Sequence, residues 1–437
     1  MAAEPIALYE PSHAPVAPES RGGLGRRIAF RFAFVYWLLY LFPFAIDWLP
    51  GWLPGANQAL TAWHDLWHAI ARWVGRHVLR LPYEITVFTN GSGDTTYDYV
   101  LFGCLAALAA CVTLIWSVLD RRRGNYAVLR EALRILVRYS FAMILLGYGF
   151  SKVFKLQFAA PTPGRLLQPF GESSPMGLLW TFMGASTPYT VFSGALEVAA
   201  GMLLLFRRTT TLGALVAAAV MTNIVMLNFC YDVPVKLFSV HLLVMALFLL
   251  LPDAGRLANV LLLHKPTQPA DVAPPFSAGR LRYARRALKF AFIGYVLYSN
   301  VSGSLERRRQ FGDHAPRIAL FGVYDVEEFQ RAGRAEGSSW RRITITNNGF
   351  GMTLKDGSSR RYNAKDDAAK KTLTVSARPG EGGKGGAFAY QLSGDAAILE
   401  GSLEGDPVRI QLKKLDTSKS LLMNRGFHWI NEYPFNR

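Results

Sequence analysis

Three apolar runs follow one another between residues 189 and 251. They cover 191–206, 212–230 and 235–251, with only short polar breaks between them. A helix needs about 20 residues to cross a hydrocarbon core, and each run reaches or approaches that length. No other feature narrows the fold as far, because a segment inside lipid must satisfy its own backbone N–H and C=O groups, and a helix does so. Each run also carries side chains that lipid rejects: Glu197 in the first, Asn223 and Asn228 in the second, Lys236 and His241 in the third. The stretch therefore predicts a membrane helix bundle with a polar interior.

The rest of the chain extends this reading. Of its 437 residues, 51% are hydrophobic and 18% charged, less charge than the roughly 25% of soluble domains. Apolar patterning predicts about seven spans, at 28–48, 99–119, 133–154, 189–206, 212–227, 235–251 and 287–298. The last is short, so a surface-lying amphipathic helix stays open there. Arg31, near the start of the first span, is expected to snorkel to the interface. Residues 58–81 place Trp and Leu on one face and His, Asp and Arg on the other, which predicts an interfacial amphipathic helix. Residues 253–284 read as a basic linker within a transmembrane domain of 26–300. Residues 1–25 are polar and Pro-rich, which predicts a disordered tail rather than a signal peptide.

The net charge is +17. Its cations cluster in loops beside the apolar runs, as cytoplasmic loops require, so the excess does not call for a nucleic-acid partner. Arg26-Arg27, Arg121-Arg122-Arg123, Arg207-Arg208 and Arg285-Arg286 fall on alternate loops. Seven spans put them all in the cytoplasm, with the N-terminus inside and the C-terminal domain extracytoplasmic, in the inner membrane of a bacterium. Lys152, Lys155 and Arg165 then fall outside, where topology gives no reason for them. Cys104, Cys111 and Cys230 form neither a CxxC nor a metal-ligand spacing, and read as inert buried thiols.

Residues 301–437 change character. Short alternating runs at 342–346, 351–354, 372–376, 387–392, 397–403 and 408–412 read as strands. Asn347-Asn348-Gly349, Asp356-Gly357 and Gly394-Asp395 supply turns. This predicts an all-β sandwich or small barrel. The aromatic stretch 426–435 is either a last strand or a docking patch.

Polar groups at the outer helix ends form the candidate site. Lys152, Glu197, Asp232 and His241 are the candidate catalytic residues, and Lys155, Asn228, Tyr231 and Lys236 the candidate ligand-binding ones. An unpaired charge in hydrocarbon costs at least ~2.5 kcal/mol, so Lys152 is expected to pair with Glu197 or Asp232. Such a cluster can line a cavity for a quinone headgroup, a lipid headgroup or another small anion. It serves equally as a structural ion pair joining helices. His64 and His68 are four residues apart, a spacing that can present two imidazoles to one metal ion. The glutamate of the zinc-helix motif is replaced by Asp65, and a solvent-facing helix side explains the pair as well. There is no P-loop and no CxxCH haem motif.

The stretches Gly147-Tyr148-Gly149-Phe150-Ser151-Lys152-Val153-Phe154, Phe192-Ser193-Gly194-Ala195-Leu196-Glu197 and 201–208 carry a resemblance. Over about residues 130–262 the chain resembles the DoxX-like and HTTM group of membrane proteins with a four-helix core. That resemblance implies quinone-coupled redox chemistry, or vitamin K chemistry in which Lys152 is the counterpart of an acting lysine. A cysteine pair for thiol exchange is absent here. The expectation is a quinone- or lipid-linked oxidoreductase-like enzyme among membrane lipids, with a further membrane or periplasmic protein as partner. The alternative is a non-catalytic binding or scaffold subunit.

Overall fold

The computed structural model describes residues 23–47, 55–87, 91–121, 126–269, 281–332, 334–335, 340–378 and 384–435. The predicted tail lies outside these apart from its last three residues, as do residues 270–280 of the predicted linker. The helices are α1 (Leu24–Asp47), α2 (Ala56–His77), α3 (Thr96–Leu119), α4 (Ala127–Val153), α5 (Pro163–Leu166), α6 (Pro175–Ala185), α7 (Thr187–Leu204), α8 (Thr210–Cys230), α9 (Lys236–Leu250), α10 (Ala254–Leu261), α11 (Leu281–Gln310) and α12 (Leu421–Asn424).

Among the described residues, five helical segments are long and apolar enough to cross a membrane: Leu24–Phe44, Thr96–Leu119, Ala127–Val153, Arg207–Cys230 and Lys236–Leu261. The predicted spans at 189–206 and 287–298 lie in α7 and α11, outside this set. In α7 the polar start Thr187-Pro188-Tyr189-Thr190 and Glu197 dilute the apolar run. In α11 charges flank the apolar centre at both ends, and the helix runs on past residue 300 to Gln310. The stretch read as a basic linker contains α10, and the apolar segment at 177–184 forms α6, started by Pro175 and capped by the Ser174 hydroxyl, which accepts from Gly177 N–H at 3.1 Å.

The chain divides into two compact units. One comprises Met1–Ile144, Ala200–Asn228 and Pro234–Arg286, the other Leu145–Ala199, Phe229–Val233 and Ala287–Arg437. In the first, polar groups tie the helix ends. Arg31 does not snorkel, and its side chain is almost wholly buried. Its Nε and Nη2 donate to Tyr126 Oη at 3.1 and 2.6 Å, and Nη2 also donates to the Asp120 carbonyl at 2.7 Å. The Tyr126 hydroxyl in turn donates to Asp120 Oδ2 at 2.9 Å. Aromatic neighbours Trp116 and Tyr126 cover the guanidinium. Local partners replace the trip to water, because a buried charge is tolerated once its donors are filled. A second network joins α4, α8 and the end of α9: Arg207 pairs with Glu131 at 3.1 Å, while Asp253 accepts from Thr211 and Arg256 at 2.5 and 2.7 Å.

The second unit holds the β domain. Its strands are β1 (Gly322–Arg331), β2 (Arg334–Ala335), β3 (Trp340–Thr346), β4 (Gly349–Leu354), β5 (Ser359–Asp367), β6 (Thr372–Ala377), β7 (Gly386–Ser393), β8 (Ala396–Leu403) and β9 (Asp406–Lys414). All neighbours are antiparallel. Strands β1 and β3 to β9 follow in order, and β9 returns to pair with β1 from Tyr324↔Lys414 to Arg331↔Val408. The result is an eight-stranded barrel, the closed form of the two predicted alternatives, with β2 attached to the end of β1. Closure leaves no long free edge.

Alternation turns Ile343, Ile345, Phe350, Met352, Leu373, Val375, Phe388, Leu399, Ile410 and Leu412 inward, where all are buried. Phe350 and Phe388 stack at 5.9 Å. The buried Tyr324 hydroxyl donates to the Leu320 carbonyl at 3.1 Å, and Tyr362 to Glu404 Oε1 at 3.1 Å. Burial pushes both phenols above their usual range, so they stay protonated as donors. Side chains fill the interior, as in other small barrels.

Phe388→Ala should destabilise the barrel by roughly 3–5 kcal/mol, whereas Thr374→Ala on its outer face should stay within about 0.5 kcal/mol. Hydrogen exchange of the barrel amides in the full chain reads both.

Candidate functional site

The candidate site begins where α4 meets α7 in the second unit. Gly149 on α4 and Gly194 on α7 lie at the contact. A Cβ built on Gly194 would stand 2.6 Å from the Gly149 carbonyl oxygen and 2.6 Å from Lys152 Cβ, and one on Gly149 2.9 Å from the Gly194 carbonyl oxygen. Two residues without side chains therefore let the backbones touch, as small residues do at membrane helix contacts. One turn on from each glycine stand Lys152 and Glu197.

Their side chains meet in this contact. Lys152 Nζ donates to both Glu197 carboxylate oxygens at 2.8 Å. The side chains are 8% and 2% exposed. The Tyr148 ring faces the ammonium, 5.6 Å from Nζ to its centroid, which adds a cation–π contribution. An ammonium has three N–H bonds; the carboxylate takes two and leaves one for a further acceptor.

Lys155 follows the end of α4 with a left-handed backbone, φ 57°. Its buried ammonium donates to the Gly184 carbonyl at 2.7 Å and lies 3.9 Å from Asp313. Burial pulls this lysine below its usual range, and Asp313 draws it back. Asp313 also accepts from Ala160 N–H at 2.7 Å. Lys155 thus fastens the loop after α4 to α6 and to the lead into the barrel. Arg165 packs by Gly177 and donates to Gln168 Oε1 at 2.5 Å. The three cations that charge placement left unexplained all have local partners.

Beside the ion pair opens a cleft of about 340 Å³, lined by Tyr148, Ser151, Leu156, Gln157, Arg307 and Phe311. Tyr148 belongs to both the pair and the cleft. Gln157 Oε1 is buried there and has no hydrogen-bond partner among the described residues. A buried orphan acceptor costs about 1–3 kcal/mol, a cost that a donor brought to Oε1 by a turn of the Gln157 side chain into the cleft would relieve. Arg307 adds a cation and Leu156 and Phe311 an apolar wall, a combination suited to a small polar head on a greasy body.

The remaining candidates have other settings. His241 lies in the first unit, its ring packed against both Tyr40 and Phe102 with centroids 4.6 Å apart in each case. Its Nδ1 donates to the Leu237 carbonyl at 2.7 Å, which leaves Nε2 to accept the Tyr36 hydroxyl at 2.6 Å. Lys236 opens α9 in the same unit. Asp94 caps that helix, accepting from Lys236 N–H at 2.8 Å and Leu237 N–H at 3.0 Å, with Lys236 Nζ 3.8 Å away. Asn228 is buried on α8. Tyr231 is half-buried, and Asp232 is exposed in the turn after α8 with φ 50°. Lys152 pairs with Glu197 rather than with Asp232. His64 is exposed and its ring stands 6.2 Å from that of His68. Among the described residues no group of three His, Cys, Asp or Glu gathers around them.

Sequence reasoning missed Tyr148, Ser151, Gln157, Arg307 and Phe311. The first three stand within five residues of Lys152, so its neighbourhood was a usable signal. Arg307 and Phe311 arrive from a distant helix, and no spacing announces them.

Removing either partner of the pair strands a buried charge. Lys152→Met and Glu197→Leu should each cost about 3–5 kcal/mol, and the double replacement much less than their sum. Thermal unfolding of the four proteins checks this.

No family model matches the chain, and no solved structure does. It is 35% identical over 136 residues to the uncharacterized protein YwoB of Bacillus subtilis (strain 168), an alignment covering 30% of this chain and 86% of the relative. The chain belongs to the family of that protein.

Proposed function

Starting from membership in the YwoB family, we propose an integral membrane protein that takes the polar head of a quinone or lipid into the cleft beside the Lys152–Glu197 pair. The observation that carries this reading is the conjunction of a buried ion pair, a neighbouring cleft lined by Tyr148, Gln157 and Arg307, and a buried orphan acceptor on Gln157. The proposed role of Lys152 is to offer its remaining N–H, and in turnover a proton, to an oxygen of the bound head. Glu197 holds the ammonium in place. Electrons would come from a partner membrane or periplasmic protein. The likeness to DoxX-like and HTTM proteins belongs to the same proposal. Two of its three stretches carry Lys152 and Glu197, the residues that form the pair.

The proposed topology has seven spans, with α7 and α11 added to the five apolar segments. Charge placement supports it. Arg121 precedes α4 and Arg207-Arg208 precede α8; if both sites are cytoplasmic, α7 must cross to return the chain. By the same rule α11, which starts beside Arg285-Arg286, carries the barrel to the extracytoplasmic side of a bacterial inner membrane. The end of α4, the start of α7, the turn after α8 and most of α11 share one compact unit with the barrel, as a common outer location would require.

A non-catalytic binding or scaffold role is the second reading. It is favoured by the pairing of Lys152 with Glu197, which neutralises both charges without a ligand, and by the filled barrel.

Organic extracts of the purified full chain, analysed by mass spectrometry, should contain a quinone or lipid that Arg307→Ala retains at roughly a tenth of the level, a loss of ~1.4 kcal/mol. Extracts without such a molecule, together with full function in Lys152→Ala, would overturn the enzyme reading and leave the scaffold. For topology, Thr374→Cys in a background free of the native cysteines should react with a membrane-impermeant thiol reagent on intact spheroplasts. Labelling only after lysis would place the barrel inside.

A further inference from the structure

The described chain does not end with the barrel. After Lys414 it continues through α12 to Phe435 without another strand. This segment exposes its largest apolar side chains: Leu421, Leu422, Phe427, Trp429, Ile430 and Tyr433 are all more than half exposed, and Trp429 is 90% exposed. Such a patch is unusual on a free surface and marks a contact. The barrel interior is already filled, so the segment is not a displaced piece of that core.

The segment is also organised. Arg425 stacks over the Phe435 ring at 4.0 Å, and its Nη2 donates to Asn431 Oδ1 at 2.6 Å. Asn431 Nδ2 closes the turn by donating to the His428 carbonyl at 3.2 Å. Phe427 and Trp429 meet edge to face at 5.0 Å. Polar groups therefore satisfy one another within the loop, and the rings protrude.

We propose that residues 421–435 form an interfacial anchor that lies on a lipid bilayer. Three observations select lipid as the occupant. Trp, Tyr and Phe beside leucine and isoleucine match the composition that settles at the headgroup level. Between residues 413 and 435 stand Lys413, Lys414, Lys419 and Arg425 against Asp416 and Glu432, an excess of two positive charges that suits anionic headgroups. And the same chain carries five segments long and apolar enough to cross a bilayer. The anchor does not depend on the cleft or on any reaction there.

The test uses the full chain, with its native cysteines replaced, in phosphatidylcholine vesicles with and without phosphatidylglycerol. An environment-sensitive fluorophore is attached at Trp429→Cys and, separately, at Thr374→Cys on the barrel's outer face. Nitroxide-labelled lipid should quench the label at 429 several-fold more than that at 374, and more strongly with phosphatidylglycerol present. Combining Phe427→Ser, Ile430→Ser and Tyr433→Ser should abolish the difference; these side chains are exposed or half-exposed, so the barrel should keep its amide protection. A label at 429 that stays unquenched and water-like would overturn the anchor. So would one that is shifted to the blue yet unquenched, since it would then be covered by protein, either this chain or a second copy.

Discussion

A lysine and a glutamate that leave water together bind two helices as few other contacts can. Each ion alone, buried as these two are, would carry a desolvation penalty of several kcal/mol. Lys152 and Glu197 escape that penalty only while their side chains meet, and they meet only because Gly149 and Gly194 bring the backbones of α4 and α7 together. A slide of one turn along either helix would part the charges and press a side chain against the neighbouring backbone. The register of the α4–α7 contact is therefore set twice, by sterics and by charge. The cleft beside it inherits that register through Tyr148, which serves both.

The same principle recurs where helices begin and end. Asp94 supplies the cap that Val235 cannot give to α9. Arg31 is filled by Tyr126 and Asp120, and Lys155 by a carbonyl and Asp313. In each case a charged group joins elements far apart in sequence. Polar side chains thus do much of the work of specifying helix neighbours, since lipid tails and leucines are equally apolar and discriminate little between them.

Apolar periodicity made the membrane part legible, and the oddity of Glu197 and Lys152 in apolar runs pointed to the pair itself. Periodicity could not say which carboxylate Lys152 would choose, because Asp232 stands as near in the sequence of helix ends as Glu197 does. Nor could it show that Arg31 would stay inside, since its partners at 120 and 126 are remote along the chain. In the β domain, six strands were visible through alternation. Strand β1 was not, because Asp325, Glu327 and Glu328 crowd its sequence and the register shifts between Val326 and Glu328. Strand β5 is polar outside and turns little more than Tyr362 and Ala364 inward, so its pattern was too faint. These two strands made the difference between an unspecified β domain and a closed barrel. The cleft stayed hidden for a different reason: two of its lining residues, Arg307 and Phe311, come from the end of α11 and the residue just after it.

The pairing of β1 with β9 has a consequence for how the domain is made. The first strand of the barrel waits for the last, about 80 residues later in synthesis. Until that final strand emerges, β1 and β8 each present an unsatisfied edge to their surroundings, and strand edges invite adventitious pairing. A nascent chain that pauses before residue 406 would thus be a target for chaperones or proteases. The domain carries its own completeness check, and only a chain synthesised through β9 can pass it.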